Sequence, residues 1–395
     1  MKVPFLDLKR QYGTIRDEVL RSIHEVLEGQ NFILGEEVER LEREISDYCG
    51  SRHAVGVASG SDAILLSIMA LDLEPGDGII TTPFTFFATA GSISRLGYIP
   101  LFVDIHRRTF NVDPDKLREF VETKCHLGKK DQLMSRERNI PIRAIVPVHL
   151  FGQCADMDPI LELCRRHDLR VIEDAAQAIG SSYRPVSDRP PRSAGTMGET
   201  GCLSFYPSKN LGAFGDGGMV ICQDAGMGDK IRVLRTHGSR PKYYHRLIGL
   251  NSRLDALQAA VIRVKLRYLD KWSERRKANA LTYDRLFRDI DNDGLGISLP
   301  FTQYENRHIF NQYVIRAPQR DGLRKFLQQH GVGTDIYYPL PLHLQECYRH
   351  LGHQKGDFPV SEDAAQAVLA LPIFPEITPE EQHYVVEKIG AFYRS

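Results

Sequence analysis

Between residues 53 and 177, short apolar runs alternate with helical stretches, and no other feature of the chain restricts its fold as much. HAVGVASG (53–60), GIITTP (78–83), YIPLFVDI (98–105), RAIVPVHLFG (143–152) and LRVIEDAAQ (169–177) read as strands. SDAILLSIMALDL (61–73) and MDPILELCRRHD (157–168) read as helices. Apolar strands separated by helices predict an α/β fold whose mainly parallel sheet is covered on both faces. Upstream, Ile15, Val19, Ile23 and Val26, then Val38, Leu41, Ile45 and Tyr48, recur at helical spacing and predict two amphipathic helices.

The texture changes at about residue 252, where SRLDALQAAVIRVKLRYLDKWSERRKANALTYDRLF (252–287) reads as one long helix. It predicts entry into a smaller α+β domain over 251–395, after a large domain over 1–250. That second domain would hold the strand IFNQYVIR (309–316), the helix GLRKFLQQHG (322–331) and a last helix. The last helix opens with Thr378 as N-cap, Pro379 at the first position and Glu381 as capping-box partner. Two polar stretches, roughly 122–141 and 184–199, read as surface excursions.

Composition excludes several classes of function. With 51 Lys plus Arg against 51 Asp plus Glu, the chain carries no overall field for nucleic acid or an anionic membrane surface. It has no apolar run long enough to span a membrane and no signal-peptide layout at its start, so a cytoplasmic protein is expected. Seven scattered cysteines without a CxxC pair fit reduced thiols, not a disulfide framework or a zinc site, and no metal is expected.

In an open parallel sheet, ligands bind beyond the carboxyl ends of the strands, and three segments fall there. ASGSDA (58–63) turns from strand to helix through Gly60, Ser61 and Asp62; it is a phosphate seat in one reading and a routine N-cap in the other. VIEDAAQAIG (171–180) ends a strand in Glu173 and Asp174, and alternation sends these two side chains to opposite faces. SFYPSKNLGAFGDGGMV (204–220) sets a single lysine, Lys209, after the Pro207 turn and before a glycine-rich stretch. Elsewhere such a lysine is a solvated loop residue. Desolvated among glycines that allow close approach, it is an amine of lowered pKa able to form an imine with a carbonyl. An anion seat, a carboxylate and an amine together meet the needs of pyridoxal 5′-phosphate.

These segments, with VPFLDLKRQY, PFTFFATA, VHLFGQCADM, NSRLDALQAA and YYPLPLHLQ, make nearly the whole chain resemble the DegT-type family of pyridoxal-phosphate-dependent nucleotide-sugar aminotransferases. The resemblance implies fold type I, the aspartate aminotransferase fold. It implies Lys209 as the Schiff-base lysine and proton-moving base, and Asp174 as the partner of the pyridinium nitrogen. Gln177 matches the position near the ring hydroxyl and Phe86 the aromatic that stacks on the ring. Ser61, Asp62 through its backbone, and Ser204 match the phosphate ligands, and Asn251 the residue that reaches the phosphate from the neighbouring subunit. A homodimer with shared active sites follows. Arg253 is either a structural partner of Asp255 or a contact for an anionic group. Tyr183, Tyr337 and Tyr338 would face the sugar, or else pack as amphipathic side chains at a domain junction. Many relatives carry His-Tyr-Pro where this chain has Tyr337-Tyr338-Pro339, a departure that bears on the sugar.

The activity so implied is ping-pong transamination, in which L-glutamate leaves its nitrogen as pyridoxamine 5′-phosphate and a nucleotide-linked keto-hexose takes it up. KYYHRLIGLNSRLDALQAAVIRVKL resembles the members that aminate C3 more than those that aminate C4. Related sugar dehydratases carry histidine in place of the Schiff-base lysine, and Lys209 argues against them. A regulatory protein that keeps the cofactor as a structural ligand is the reading from another class.

Overall fold

The computed structural model describes residues 1–185, 190–303 and 306–394. The N-terminal pair of helices forms as the spacing predicts, α1 over Leu8–Gly29 and α2 over Glu36–Cys49, with Ile15, Val19, Val38, Leu41 and Ile45 buried. Seven strands then build one sheet: β1 His53–Val57, β2 Gly78–Thr81, β3 Ile99–Phe102, β4 Ile142–Ile145, β5 Arg170–Asp174, β6 Thr200–Ser204 and β7 Gly218–Cys222. Their spatial order is β1-β7-β6-β5-β4-β2-β3. Only β7 runs against the others, pairing antiparallel with both β1 and β6. The strands are apolar along almost their whole length because helices cover both faces and leave no polar side. Those helices are α3 Gly60–Ala70, α4 Ala88–Arg95, α5 Pro114–Lys124, α6 Met157–Arg166 and α7 Ala225–Leu234.

The predicted single helix over 252–287 is two, α8 over Ala256–Leu266 and α9 over Leu269–Asp289. Tyr268 interrupts the run while its ring stacks on Trp272 and its hydroxyl bonds Glu18 of α1. A tertiary contact thus overrides a helical pattern that is continuous in sequence. α8 packs on α1 and α2, beside the large sheet. A separate core gathers residues of α9, the strands β8 Tyr313–Arg316 and β9 Val368–Leu371, and the helices α10 Arg320–Gln329 and α12 Pro379–Arg394. Val3 joins this core through a bridge to Val332, so the first residues of the chain lie with the last third. Between β8 and β9, α11 spans Pro359–Ala367.

The capping box of α12 forms reciprocally: Glu381 N–H donates to Thr378 Oγ1 (3.2 Å) and Thr378 N–H to Glu381 Oε2 (2.9 Å). Glu381 also takes Arg10 of α1 at 2.6 Å. The polar stretch 122–141 contains a small hairpin, 125–127 against 133–135. Of the stretch 184–199, residues 186–189 lie outside the described residues. Its later part is not a surface excursion: Ala194 is buried, and three of its backbone N–H groups bond a core carboxylate. Six of the seven cysteines are buried, Cys347 is exposed, and none is bridged. No described helix is long and apolar enough to cross a membrane.

Candidate active site

Where β1, β5 and β6 end, a cavity of about 450 Å³ opens. Cys202 of β6 pairs with Asp174 of β5, so Ser204, two residues on, stands at the sheet's carboxyl edge. Beyond it the chain folds back on itself through Phe205 N–H to Gly217 O (2.8 Å) and Ala213 N–H to Phe205 O (2.7 Å). Gly212 is required in this fold-back, since a Cβ there would lie 2.4 Å from Pro207 O. The Lys209 N–H closes a turn onto Tyr206 O (2.9 Å), and its side chain lines the cavity. Burial lowers the Lys209 amine to about 8, with the Asp174 charge acting in the opposite sense.

Burial lowers Lys265 to about 8 as well, so the shift and the place in the cavity together single out Lys209. At pH 7 an amine of pKa about 8 is roughly one-tenth uncharged, against about one in three thousand for an ordinary lysine, and only the uncharged form attacks a carbonyl. Labelling of Lys209 by a small amine-reactive reagent, in protein stripped of carbonyl cofactors, is expected to rise with pH and be half-maximal near 8. A midpoint near that of ordinary lysines refutes the desolvated amine.

Glu173 and Asp174 part to opposite faces as alternation predicts, with opposite fates. Asp174, 5% exposed, lines the cavity. Its Oδ2 accepts from Thr89 Oγ1 (2.7 Å) and its Oδ1 from Ala176 N–H (3.2 Å), and it has no ion pair among the described residues. A buried carboxylate held by neutral donors favours a cationic N–H in the space it faces. Glu173 is fully buried behind it. Its Oε1 accepts from Met197 and Gly198 N–H (2.5 and 2.6 Å), its Oε2 from Gly195 N–H and His149 Nε2 (2.8 and 2.7 Å). Because His149 Nδ1 accepts from Ala155 N–H (3.0 Å), Nε2 carries the proton. Four donors on one carboxylate brace the strand end that presents Asp174. Glu173→Gln turns one acceptor into an N–H facing N–H groups, and is expected to destabilise the protein by about 3 kcal/mol, read as a lower urea midpoint.

The helix start at α3 brings backbone N–H groups to the cavity. Asp62 does not keep a free backbone donor for a phosphate, which corrects that expectation: its N–H is taken by the N-cap Ser59 Oγ (3.1 Å) and its carboxylate by Ser252 Oγ (2.7 Å). Gly60 and Ser61, both lining the cavity, keep the N–H groups that a helix start leaves unpaired. A Cβ at Gly60 would stand 2.6 Å from the Cβ of Ser204, so glycine there lets the start of α3 and the end of β6 meet. Phe86, 59% exposed, forms another wall. Gln177 spans two partners, Oε1 accepting from Phe151 N–H (2.7 Å) and Nε2 donating to Tyr338 Oη (3.1 Å). Tyr337 and Tyr338 both line the cavity, and burial raises both phenols.

Tyr183 does not face the cavity, which corrects the expectation that it contacts substrate. It is 0% exposed, and its hydroxyl donates to Asp156 Oδ1 (2.8 Å) and accepts from Asp158 N–H (3.2 Å). Arg253 lies outside the cavity and makes no ion pair with Asp255, which instead caps α8 through Gln258 N–H (2.8 Å). Asn251 is exposed and outside the cavity of its own chain. Thr89 and Gln312 were not singled out in the sequence. Thr89 was findable, standing one helical turn after Phe86 in FFATA; Gln312 had no local signal.

A reactive amine and a buried carboxylate at the carboxyl edge of a mostly parallel, doubly covered sheet are the equipment of an α/β aminotransferase. The model of the DegT/DnrJ/EryC1/StrS aminotransferase family matches residues 13–390, and the chain belongs to that family. It is 47% identical over 395 residues to a Geobacillus stearothermophilus protein named "Pleiotropic regulatory protein", covering 100% of this chain and 99% of that one. It is 38% identical over 380 residues to a UDP-N-acetyl-3-dehydro-alpha-D-glucosamine 3-aminotransferase of Acidithiobacillus ferrooxidans, covering 96% and 95%. Among solved structures, DesV of S. venezuelae in complex with a ketimine intermediate superposes with a TM-score of 0.90 at 38% identity, covering 100% and 99%.

Proposed function

We propose that this enzyme moves an amino group from L-glutamate to the C3 ketone of a nucleotide-linked hexose, with pyridoxal 5′-phosphate as cofactor. The observation that carries the reading is the Lys209 amine, lowered to about 8 by burial in the same cavity as Asp174. The residues present fit the cofactor. Asp174 offers an anionic oxygen to the ring nitrogen, Lys209 an amine to the carbonyl, and Gly60, Ser61 and Ser204 donors to the phosphate. Phe86 offers a face to the ring and Gln177 a polar group beside it. When bound, pyridoxal 5′-phosphate supplies the electron sink that makes amino transfer between donor and ketone feasible.

The chain's own part is proton handling and orientation. Lys209 Nζ, uncharged in an appreciable fraction at neutral pH, takes and returns the proton that moves during transfer. Asp174, fixed by Thr89 and braced by Glu173 from behind, would hold the ring nitrogen and favour its protonated form. The C3 assignment is supported by the name of the 38% identical relative. A homodimer is supported by Phe87 and Phe214, large apolar side chains outside the cavity that are left exposed on the single chain. Asn251, exposed nearby in sequence to the α8 cap, is then available to a neighbouring copy.

The test follows the visible absorption of the cofactor-loaded protein. L-glutamate is expected to remove the band, and, after desalting, a nucleotide-linked 3-keto hexose to restore it. Restoration by 4-keto hexoses alone would move the assignment to C4. A band that glutamate leaves unchanged would favour the regulatory reading that the name of the 47% identical relative raises.

A further inference from the structure

Helix α8 turns two side chains toward the loop that carries Lys209. Gln258 and Lys265 are seven residues apart, two turns on one helical face. Gln258 Oε1 accepts from Phe214 N–H (2.8 Å), and Lys265 Nζ donates to Gly212 O. Between Ser204 and Gly218 the loop has no helix or strand. Phe205, Leu211 and Ala213 anchor the loop in the core, and among the described residues its other side-chain hydrogen bond to a distant segment is Asn210 Nδ2 to Ile309 O (3.1 Å). α8 is itself pinned to α2 by Arg263, which pairs with Glu37 and Glu44 at 2.7 Å each.

Lys265 is a costly choice for this position. It is 2% exposed, makes no ion pair among the described residues, and has the Phe214 ring 5.5 Å from its Nζ. A buried ammonium with one carbonyl acceptor is less favourable than an apolar side chain of the same length. What it does that methionine cannot is hold the Gly212 carbonyl, three residues beyond Lys209.

We propose that Lys265 and Gln258 are positioning residues that hold the Lys209 loop against the cavity by gripping the backbone at Gly212 and Phe214. Neither touches the cavity. They act through the loop, keeping the Lys209 amine in its desolvated place. The inference rests on Lys209 being the reactive amine of the proposed function.

The experiment is the pH midpoint of Lys209 labelling in cofactor-free protein, mapped to the residue by mass spectrometry, so it reads the loop even if no amino transfer is found. Lys265→Met and Gln258→Leu loosen the loop and expose the half-buried amine further to the water of the cavity. Each is expected to raise the midpoint by at least half a pH unit from near 8. The shift at Lys209 arises from burial and from Asp174, so loss of the Lys265 charge is not its cause. In the loaded enzyme, kcat should fall about tenfold while KM for the amino donor stays within twofold. Should Lys265→Met fail to fold, Gln258→Leu carries the test. Folded variants that label at the wild-type midpoint, whatever their melting temperature, overturn the proposal, since a merely structural pair would change stability alone.

Discussion

Lys209→Ala is expected to fold as the wild type does and to lose amino transfer by about 10⁴-fold or more. The side chain is half-buried at the wall of the cavity and not in a packed core, so its removal enlarges that cavity and leaves no new buried void. Among the described residues no other lysine lines that cavity to replace it. Asp174 and the helix start at Gly60 remain, so the variant should still bind the cofactor without a covalent link. Circular dichroism melting checks the fold, absorbance after gel filtration checks binding, and single turnover with L-glutamate checks transfer. Turnover at the wild-type rate would end the assignment of Lys209 as the base.

Asp174→Asn keeps the shape of the side chain and the bond from Thr89, but removes the charge. The ring nitrogen then lacks an anionic partner. Transfer is expected to slow by about 10²- to 10³-fold, with cofactor lost on dilution where the wild type retains it. A second consequence has a definite sign. The Asp174 charge raises the Lys209 amine against the lowering by burial, so its loss should move the labelling midpoint below 8. The α8 variants move the same midpoint up, so charge and solvent access are separated by direction. Wild-type rates in Asp174→Asn would mean that another group protonates the ring.

Much of this site was legible before the fold was known, because its parts lie in short segments with strong local rules. Period-two alternation alone sends Glu173 and Asp174 to opposite faces. The Ser-Gly-Ser-Asp run marks a strand giving way to a helix start. The turn and glycines around Lys209 mark a backbone that must fold tightly. The missed or mistaken residues depend on partners far along the chain. Tyr183 finds Asp156, 27 residues away, and is drawn into the core. Thr89 meets Asp174 across 85 residues, and Tyr268 leaves the helical run where Glu18 of α1 takes its hydroxyl.

The amino-acid sequence by itself determined the order of strands and helices, the caps, and the strand-end residues that carry the chemistry, because these follow from backbone periodicity and from hydrogen bonds a few residues apart. Only the tertiary structure decided which of the candidate side chains share one cavity, why the Lys209 amine sits near 8, and that Lys265 and Gln258 grip its loop. Desolvation and long-range contact exist only once segments far apart in sequence have closed around the same space.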